Sequence, residues 1–383
     1  MKNAIIIPSA KDRIQNNWPS LQMIGQSLEE TYDSFLKDKV KIKAPFSGVS
    51  QDSQELIQTV GRLPDHSHLI FPYAIPKQVR LIKPLLTLIK NKSLKCRVHL
   101  YGDFFQQWPD WKDLLGKVPD ENFNLAALSE RFAQVIADTL SSPRNIQVLI
   151  PSLNLTSWTF DRSLRGKVRS KMNLQDDELL ILTVSRINEC KGFFRNYEVV
   201  KNLSKNHKVR WVLAGEFDDW NLPYAGEVFP AGYTFSSIIR FLSSQKSNFQ
   251  IEFLGHIESA EVKDLSHAAD LFLHLSRSFE EDFSLAAREA IANGLPCVLE
   301  DWGPFVDLAS YDNVILGARG LENLLHVSLE DREKFSRDAI HKMRSIDQKR
   351  FLDFLSSSMS FDTTKINHLN LEQFKHAMEG RHE

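Results

Sequence analysis

Short apolar runs separated by longer stretches of helical spacing set the strongest limit on what this chain can fold into. In the first half the runs are NAIIIP (3–8), HLIFPY (68–73), CRVHLY (96–101) and IQVLIP (146–151). In the second they are LLILTVS (179–185), VRWVLAG (209–215), IEFLG (251–255), DLFLHLS (270–276) and PCVLE (296–300). Runs this short and this apolar suit strands buried on both faces. The segments between them, such as 193–205, 260–269 and 284–293, carry helical periodicity. Alternating strand and helix predicts parallel sheets covered by helices on both faces. With 383 residues the chain exceeds one ordinary core, so the prediction is α/β: two doubly wound, Rossmann-like domains facing a cleft. The polar stretch 152–178 shows no strand pattern and is the candidate linker. Domain spans of 1–160 and 161–360 follow, with a short amphipathic helix in the tail 361–383.

Composition narrows the function classes. A net charge of −2 gives no basis for nucleic-acid binding. Three cysteines without CxxC spacing support neither a disulfide framework nor a zinc site. The opening MKNAIIIPSAKDR is too short an apolar run for a signal peptide. No apolar stretch approaches the roughly 20 residues of a membrane span. The expectation is a cytoplasmic protein.

Chemistry concentrates beyond the ends of the second-half strands, where open parallel sheets bind ligands. ILTVSRINECKGFF (181–194) presents Arg186 and Lys191, two cations suited to a diphosphate, although any surface loop carries such residues. WVLAGEF (211–217) ends in Gly215 and Glu216, where a missing side chain lets a ligand ring approach the backbone or simply makes a turn. FLGHI (253–257) repeats the arrangement and adds His256, beside which a base can stack. SFEEDFSLAAREAIANGLPCV (278–298) places Glu280, Glu281 and Asp282 before a helix and Glu289 eight positions after Glu281. Acids there suit plain helix capping. They equally suit two carboxylates facing a sugar-like ligand while helix-start amides hold a phosphate.

The order VSRINECKG (184–192), VLAGE (212–216), FLGHI (253–257), SFEEDFSLAAREAIANGLPCV (278–298) and DWGPFVD (301–307) resembles the nucleotide-binding domain of GT-B glycosyltransferases. The likeness is to the retaining, GT4-like group with its Glu-x7-Glu motif. It covers about 180–307 well and extends weakly through 125–154, similar to that family's last N-domain helix and strand. The resemblance implies a nucleoside diphosphate sugar donor on the C-terminal domain and a glycan, lipid-linked or other acceptor on the N-terminal domain. It implies that Arg186 and Lys191 bind the diphosphate, Glu281 the donor sugar and Glu289 the ribose, and that amides of Phe283, Ser284 and Leu285 face the distal phosphate. CRVHLYGDFF (96–105) resembles the family's strand-end His region, which puts His99 and Asp103 towards the sugar. The tail helix, 361–383, would pack back on the first domain.

Two departures stand out. Asp282 and Ser284 occupy positions where the family usually has glycine, and the N-terminal glycine-rich acceptor loop is absent. Without an Asp-x-Asp, no divalent metal and no resident cofactor are expected. The basic run 77–97 interleaves Lys and Arg with leucines, which suits a solvated helix or peripheral contact with an anionic membrane surface. A non-catalytic glycosyltransferase-fold subunit binding a protein or glycan partner is the alternative from another class.

Overall fold

The computed structural model describes residues 4–6, 24, 39–41, 51–71, 79, 82–101, 104, 108–117, 120–140, 146–149, 155–219, 229–278 and 281–356. They fall into two compact units, one within Met1–Leu153 and Ile346–Leu371, the other within Asn154–Ser345. Each is an α/β unit built on a six-stranded parallel sheet.

The first unit runs β1 (Ala4–Ile6), β2 (Lys39–Lys41), α1 (Gln51–Gly61), β3 (His68–Phe71), α2 (Leu86–Asn91), β4 (Lys95–His99), α3 (Trp108–Leu115), β5 (Phe123–Ala127), α4 (Glu130–Leu140) and β6 (Ile146–Val148). Its strand order is β2-β1-β3-β4-β5-β6. β2 lies in the lysine alternation 39–43, which the sequence reading left outside the strands. β5 was also missed, because FNLAA runs directly into a helix rich in the same alanine and leucine. The basic run 77–97 is largely structural. Leu85, Ile89 and Leu94 are buried, while Leu86 and Leu88 are half-buried. Lys92 pairs with Asp65 at 3.4 Å, Lys83 with Asp113 at 3.6 Å, and Lys95 donates to the Glu121 carbonyl at 2.7 Å.

The second unit continues with α5 (Arg162–Lys171), β7 (Glu178–Val184), α6 (Phe193–Leu203), β8 (Lys208–Ala214), α7 (Tyr233–Ser244), β9 (Gln250–Gly255), α8 (Ser259–Ala268), β10 (Leu271–His274), α9 (Leu285–Ala292), β11 (Cys297–Leu299), α10 (Phe305–Leu308), β12 (Val314–Leu316), α11 (Leu321–Leu324) and the first part of α12 (Leu329–Ser356), whose residues from Ile346 belong to the first unit. Its order is β12-β11-β10-β7-β8-β9. β12, in the short run NVILG, was the other strand absent from the sequence reading. The chain lays β7, β8 and β9 outward in one direction, then returns to the other side of β7 with β10. Strand order therefore reverses between β7 and β10, and in such sheets the ligand crevice lies beyond the carboxyl ends at that switch point. Trp211, fully buried on β8, anchors the core below: its ring stacks on Phe193 at 5.4 Å and its Nε1 donates to Thr183 at 3.0 Å.

The candidate linker proves to be an integral helix. Asp161 caps α5 by accepting from the amides of Ser163 and Leu164 at 2.8 and 3.1 Å. Arg165 and Arg169 then clamp Asp270, at 2.5 and 3.0 Å, just before β10. Asp270 also accepts from the Leu180 amide at 2.8 Å, which locks β10 in register beside β7. A polar composition misled here because the helix binds its sheet through charge rather than through an apolar stripe. Asp270→Ala leaves two part-buried guanidinium groups without their carboxylate, and should cost about 3 kcal/mol. Chemical denaturation should read that loss.

Candidate functional site

The site forms where the loops after β7 and β10 face each other. Gly192, which caps α6 with φ +85°, lies against the end of β10 so closely that a Cβ would come 2.1 Å from the Leu275 carbonyl oxygen. Only glycine permits that approach. The loops are stitched further: the Arg277 amide donates to the Cys190 carbonyl at 3.0 Å, and the Ser276 hydroxyl to the same oxygen at 3.3 Å. Asn188 Oδ1 accepts from the Lys191 amide at 2.8 Å and fixes the turn.

This stitching delivers Lys191 to Glu281. Nζ lies 2.7 Å from Oε1, with both side chains largely buried. Burial alone would raise the Glu281 carboxyl, yet the Lys191 ammonium, with smaller help from His274, holds it at about 2. His274, at the end of β10 and itself buried, brings Nε2 to 3.8 Å from the same Oε1. Burial holds its imidazole down, to about 4.

The other carboxylate behaves oppositely. Glu289 lies inside α9, buried and with no salt-bridge partner among the described residues, and desolvation pushes it up to about 8. At neutral pH the site therefore holds one charged and one neutral carboxyl group. A protonated carboxyl both donates and accepts hydrogen bonds, which suits a hydroxyl-rich ligand.

Of the remaining candidates, Arg186 is engaged by Asp218, Nη1 to Oδ2 at 2.6 Å, with Asn188 Nδ2 on the same oxygen at 3.4 Å. Each member of the expected cation pair thus already holds a carboxylate. Gly215 is small for a reason other than ligand approach: a Cβ there would lie 1.8 Å from the Ser185 carbonyl oxygen of the neighbouring strand end. Glu216 is exposed, and its backbone carbonyl accepts from Ile187 at 2.8 Å. His256 is exposed. Phe283 is buried with the Arg288 guanidinium 4.2 Å from its ring centroid, which rigidifies the entry to α9. Ser284 caps α9 in the left-handed region, φ 53°, with its hydroxyl buried and unsatisfied, and Leu285 opens the helix. The first amides of that helix have no intrahelical partner and point to its N-terminal side.

His99 ends β4 in the first unit, buried, with its imidazole pushed down to about 3 by burial and by Arg97. Asp103, Glu280 and the tail helix 361–383 lie outside the described residues. The sequence reading missed His274 and Asp218. A lone histidine in the apolar run DLFLHLS was the available signal for the first; for the second there was none. It also missed Glu300, which bridges Arg195 and Arg277 at 3.3 and 3.2 Å beside a cavity of about 450 Å³. Among the described residues no set of three His, Cys, Asp or Glu side chains is placed to hold a metal ion. No helix among them is long and apolar enough to cross a membrane.

Residues 165–317 match the family Glycosyl transferases group 1. The group 1 match includes every crevice residue above from Arg186 to Glu289. A glycosyltransferase of Methanocaldococcus jannaschii is 23% identical over 198 residues, 50% of this chain and 46% of that protein. The O-antigen biosynthesis glycosyltransferase WclY of Escherichia coli is 24% identical over 140 residues, 37% of this chain and 33% of that protein. The chain thus spans less than half the length of either curated relative. HepE of Anabaena, solved in complex with UDP and glucose, shares the fold: TM-score 0.62 at 14% identity, covering 93% of this chain and 100% of that one. The two parallel-sheet units match such GT-B architectures.

Two outcomes check the site's local physics. Glu289 has its folded pKa raised from 4.5 to about 8, so its contribution to stability is complete below the unfolded value and is lost as pH rises through the folded one. Each pH unit in that window costs up to about 1.4 kcal/mol. Glu289→Gln, which cannot ionise, should therefore gain on the wild type between pH 6 and pH 8 in denaturation midpoints; a pH-independent difference refutes the shift. Separately, Ser284→Gly relieves a left-handed backbone and an unsatisfied buried hydroxyl. It should stabilise by about 1 kcal/mol, read as a rise in melting temperature.

Proposed function

We propose that this chain is a retaining, GT4-like glycosyltransferase that moves a sugar from a nucleoside diphosphate sugar to a glycan, lipid-linked or other acceptor. The observation that carries this reading is the buried Lys191–Glu281 pair joining the loops after β7 and β10, with Arg186 on the first of those loops and the neutral Glu289 inside α9. The group 1 match over the same residues supports it. Retention rests on the resemblance to the Glu-x7-Glu group, here Glu281 and Glu289.

In this mechanism Arg186, Lys191 and the amides of Phe283, Ser284 and Leu285 take the diphosphate. Their positive field stabilises the charge that grows on the leaving group, the kind of preorganised electrostatics that usually supplies the largest catalytic term. Glu281 accepts from sugar hydroxyls, and the neutral Glu289 binds the ribose. The acceptor hydroxyl attacks the anomeric carbon on the face the diphosphate leaves, and a diphosphate oxygen receives its proton. No step is routed through a metal or a cofactor. A peripheral membrane contact would rest mainly on charge, because Leu85 and Leu94 of the run 77–97 are buried and Leu86 and Leu88 are half-buried.

A rival follows from the ion pairs. Arg186 and Lys191 both hold carboxylates already, which also suits a non-catalytic subunit of the same fold that binds a protein or glycan partner. Calorimetry with UDP, the nucleotide seen bound to HepE, and a donor–acceptor screen separate the two. Glu281→Gln should bind UDP at least as well as the wild type, since it frees Lys191, while transfer falls on the order of tenfold to a hundredfold. Glu289→Gln should weaken both UDP binding and transfer. No turnover, together with UDP affinity indifferent to both substitutions, would leave the non-catalytic subunit standing.

A further inference from the structure

One buried group at the crevice has no task in that scheme. His274 ends β10 with both ring nitrogens buried and lacking a hydrogen-bond partner. The rings of Phe305, 5.3 Å away on α10, and Phe272, 6.1 Å away on its own strand, pack against it edge-on. A buried imidazole with neither nitrogen satisfied is costly in an apolar setting, so its persistence calls for a compensating state. The charged groups acting on it are Glu281, from the loop that follows β10, and Lys191, from the loop that precedes α6.

The geometry poses a problem that His274 answers. Glu281 is buried, and its counterion is Lys191 at 2.7 Å. Any anionic ligand that draws the ammonium away leaves a carboxylate charge in a poorly solvated place, a loss of several kcal/mol if nothing replaces it. His274 Nε2 already stands 3.8 Å from the same Oε1.

We propose that His274 is the standby cation of the site: when a diphosphate takes Lys191 from Glu281, the imidazole takes up one proton from solvent and becomes the counterion of the Glu281 carboxylate. This rests on the diphosphate-binding role given to Lys191 above. Charge balances at each stage. Without ligand the three side chains sum to zero, with Lys191 positive, Glu281 negative and His274 neutral. With ligand, Lys191 neutralises one phosphate charge while the incoming proton on His274 neutralises Glu281. His274 is a positioning residue here, acting on the sugar through Glu281. Burial is the main reason the ligand-free imidazole holds protons weakly, and Lys191 adds to it; departure of the ammonium leaves Glu281 as the nearby charge that favours protonation against that burial. Nucleotide binding thereby becomes linked to pH. Affinity should fall as pH rises through the imidazole's ligand-bound midpoint, because the proton is then withheld.

The test has a ligand-free arm and a ligand-bound arm, both read by NMR titration of the His274 ring in the full chain. In Lys191→Met without ligand, the His274 midpoint should move up from about 4 by two pH units or more. An unchanged midpoint overturns the proposal. In the wild type, saturating UDP should produce the same upward movement. Calorimetry at pH 6.5 in buffers of different ionisation enthalpy should then show net proton uptake, and His274→Asn should lose it. The difference between wild type and His274→Asn excludes any proton that Glu289 exchanges. UDP binding with an unmoved His274 midpoint, or equal proton uptake in both proteins, overturns the coupling and leaves the nucleotide site intact. A wild type without measurable UDP affinity overturns the coupling and the nucleotide reading together.

Discussion

The pairing of Lys191 with Glu281 is the interaction on which the second unit's crevice depends. It joins the loop after β7 to the loop after β10 through a 2.7 Å contact between largely buried charges. Neither charge tolerates that position alone, so the two loops are held to one geometry or to a second in which another cation takes over. A surface pair of the same length would contribute little and constrain nothing. Burial is what turns it into a constraint, and burial follows from the sheet: β10 returns beside β7, and His274 at its end stands 3.8 Å from the carboxylate with Phe305 packed on the imidazole.

Two backbone contacts make that closure possible. Gly192 lets the Lys191 loop rest on the Leu275 carbonyl, and Gly215 lets the end of β8 rest on the Ser185 carbonyl. In both cases a Cβ would occupy space that a neighbouring strand end already fills. Behind them, the Arg165–Asp270–Arg169 clamp fixes where β10 begins. Register at the start of the strand decides where His274 emerges four residues later. The crevice is therefore assembled from charge at its mouth, glycine at its walls and charge again at its base.

Electrostatics inside the crevice are asymmetric, and the asymmetry comes from neighbours rather than from residue type. Glu281 and Glu289 are both buried glutamates. One meets an ammonium and stays charged; the other meets none and stays protonated near neutral pH. Pairs of like groups pushed apart in this way are a common mark of functional sites, although structural ion pairs shift groups too. Here the charged member faces the loop that carries Lys191, and the neutral member lies inside α9.

The sequence by itself determined the class of fold and the neighbourhood of the site. Nine apolar runs at strand length matched nine of the twelve strands among the described residues, because strands buried on both faces must be continuously apolar. The strands that escaped were short or masked: β2 among lysines, β5 fused to an alanine-rich helix, β12 with a single turn of apolar residues. The spacing of Arg186, Lys191, Glu281 and Glu289 was also legible, since loop positions after strands are fixed by chain order. Partners were not. That Lys191 holds Glu281 and Arg186 holds Asp218 depends on residues 90 and 32 positions apart meeting across the sheet. That Glu289 is neutral, that α5 is a clamp rather than a linker, and that His274 stands behind Glu281 were likewise decided by tertiary structure. Ionisation and pairing are properties of what surrounds a side chain, and the surroundings exist only once distant segments have packed.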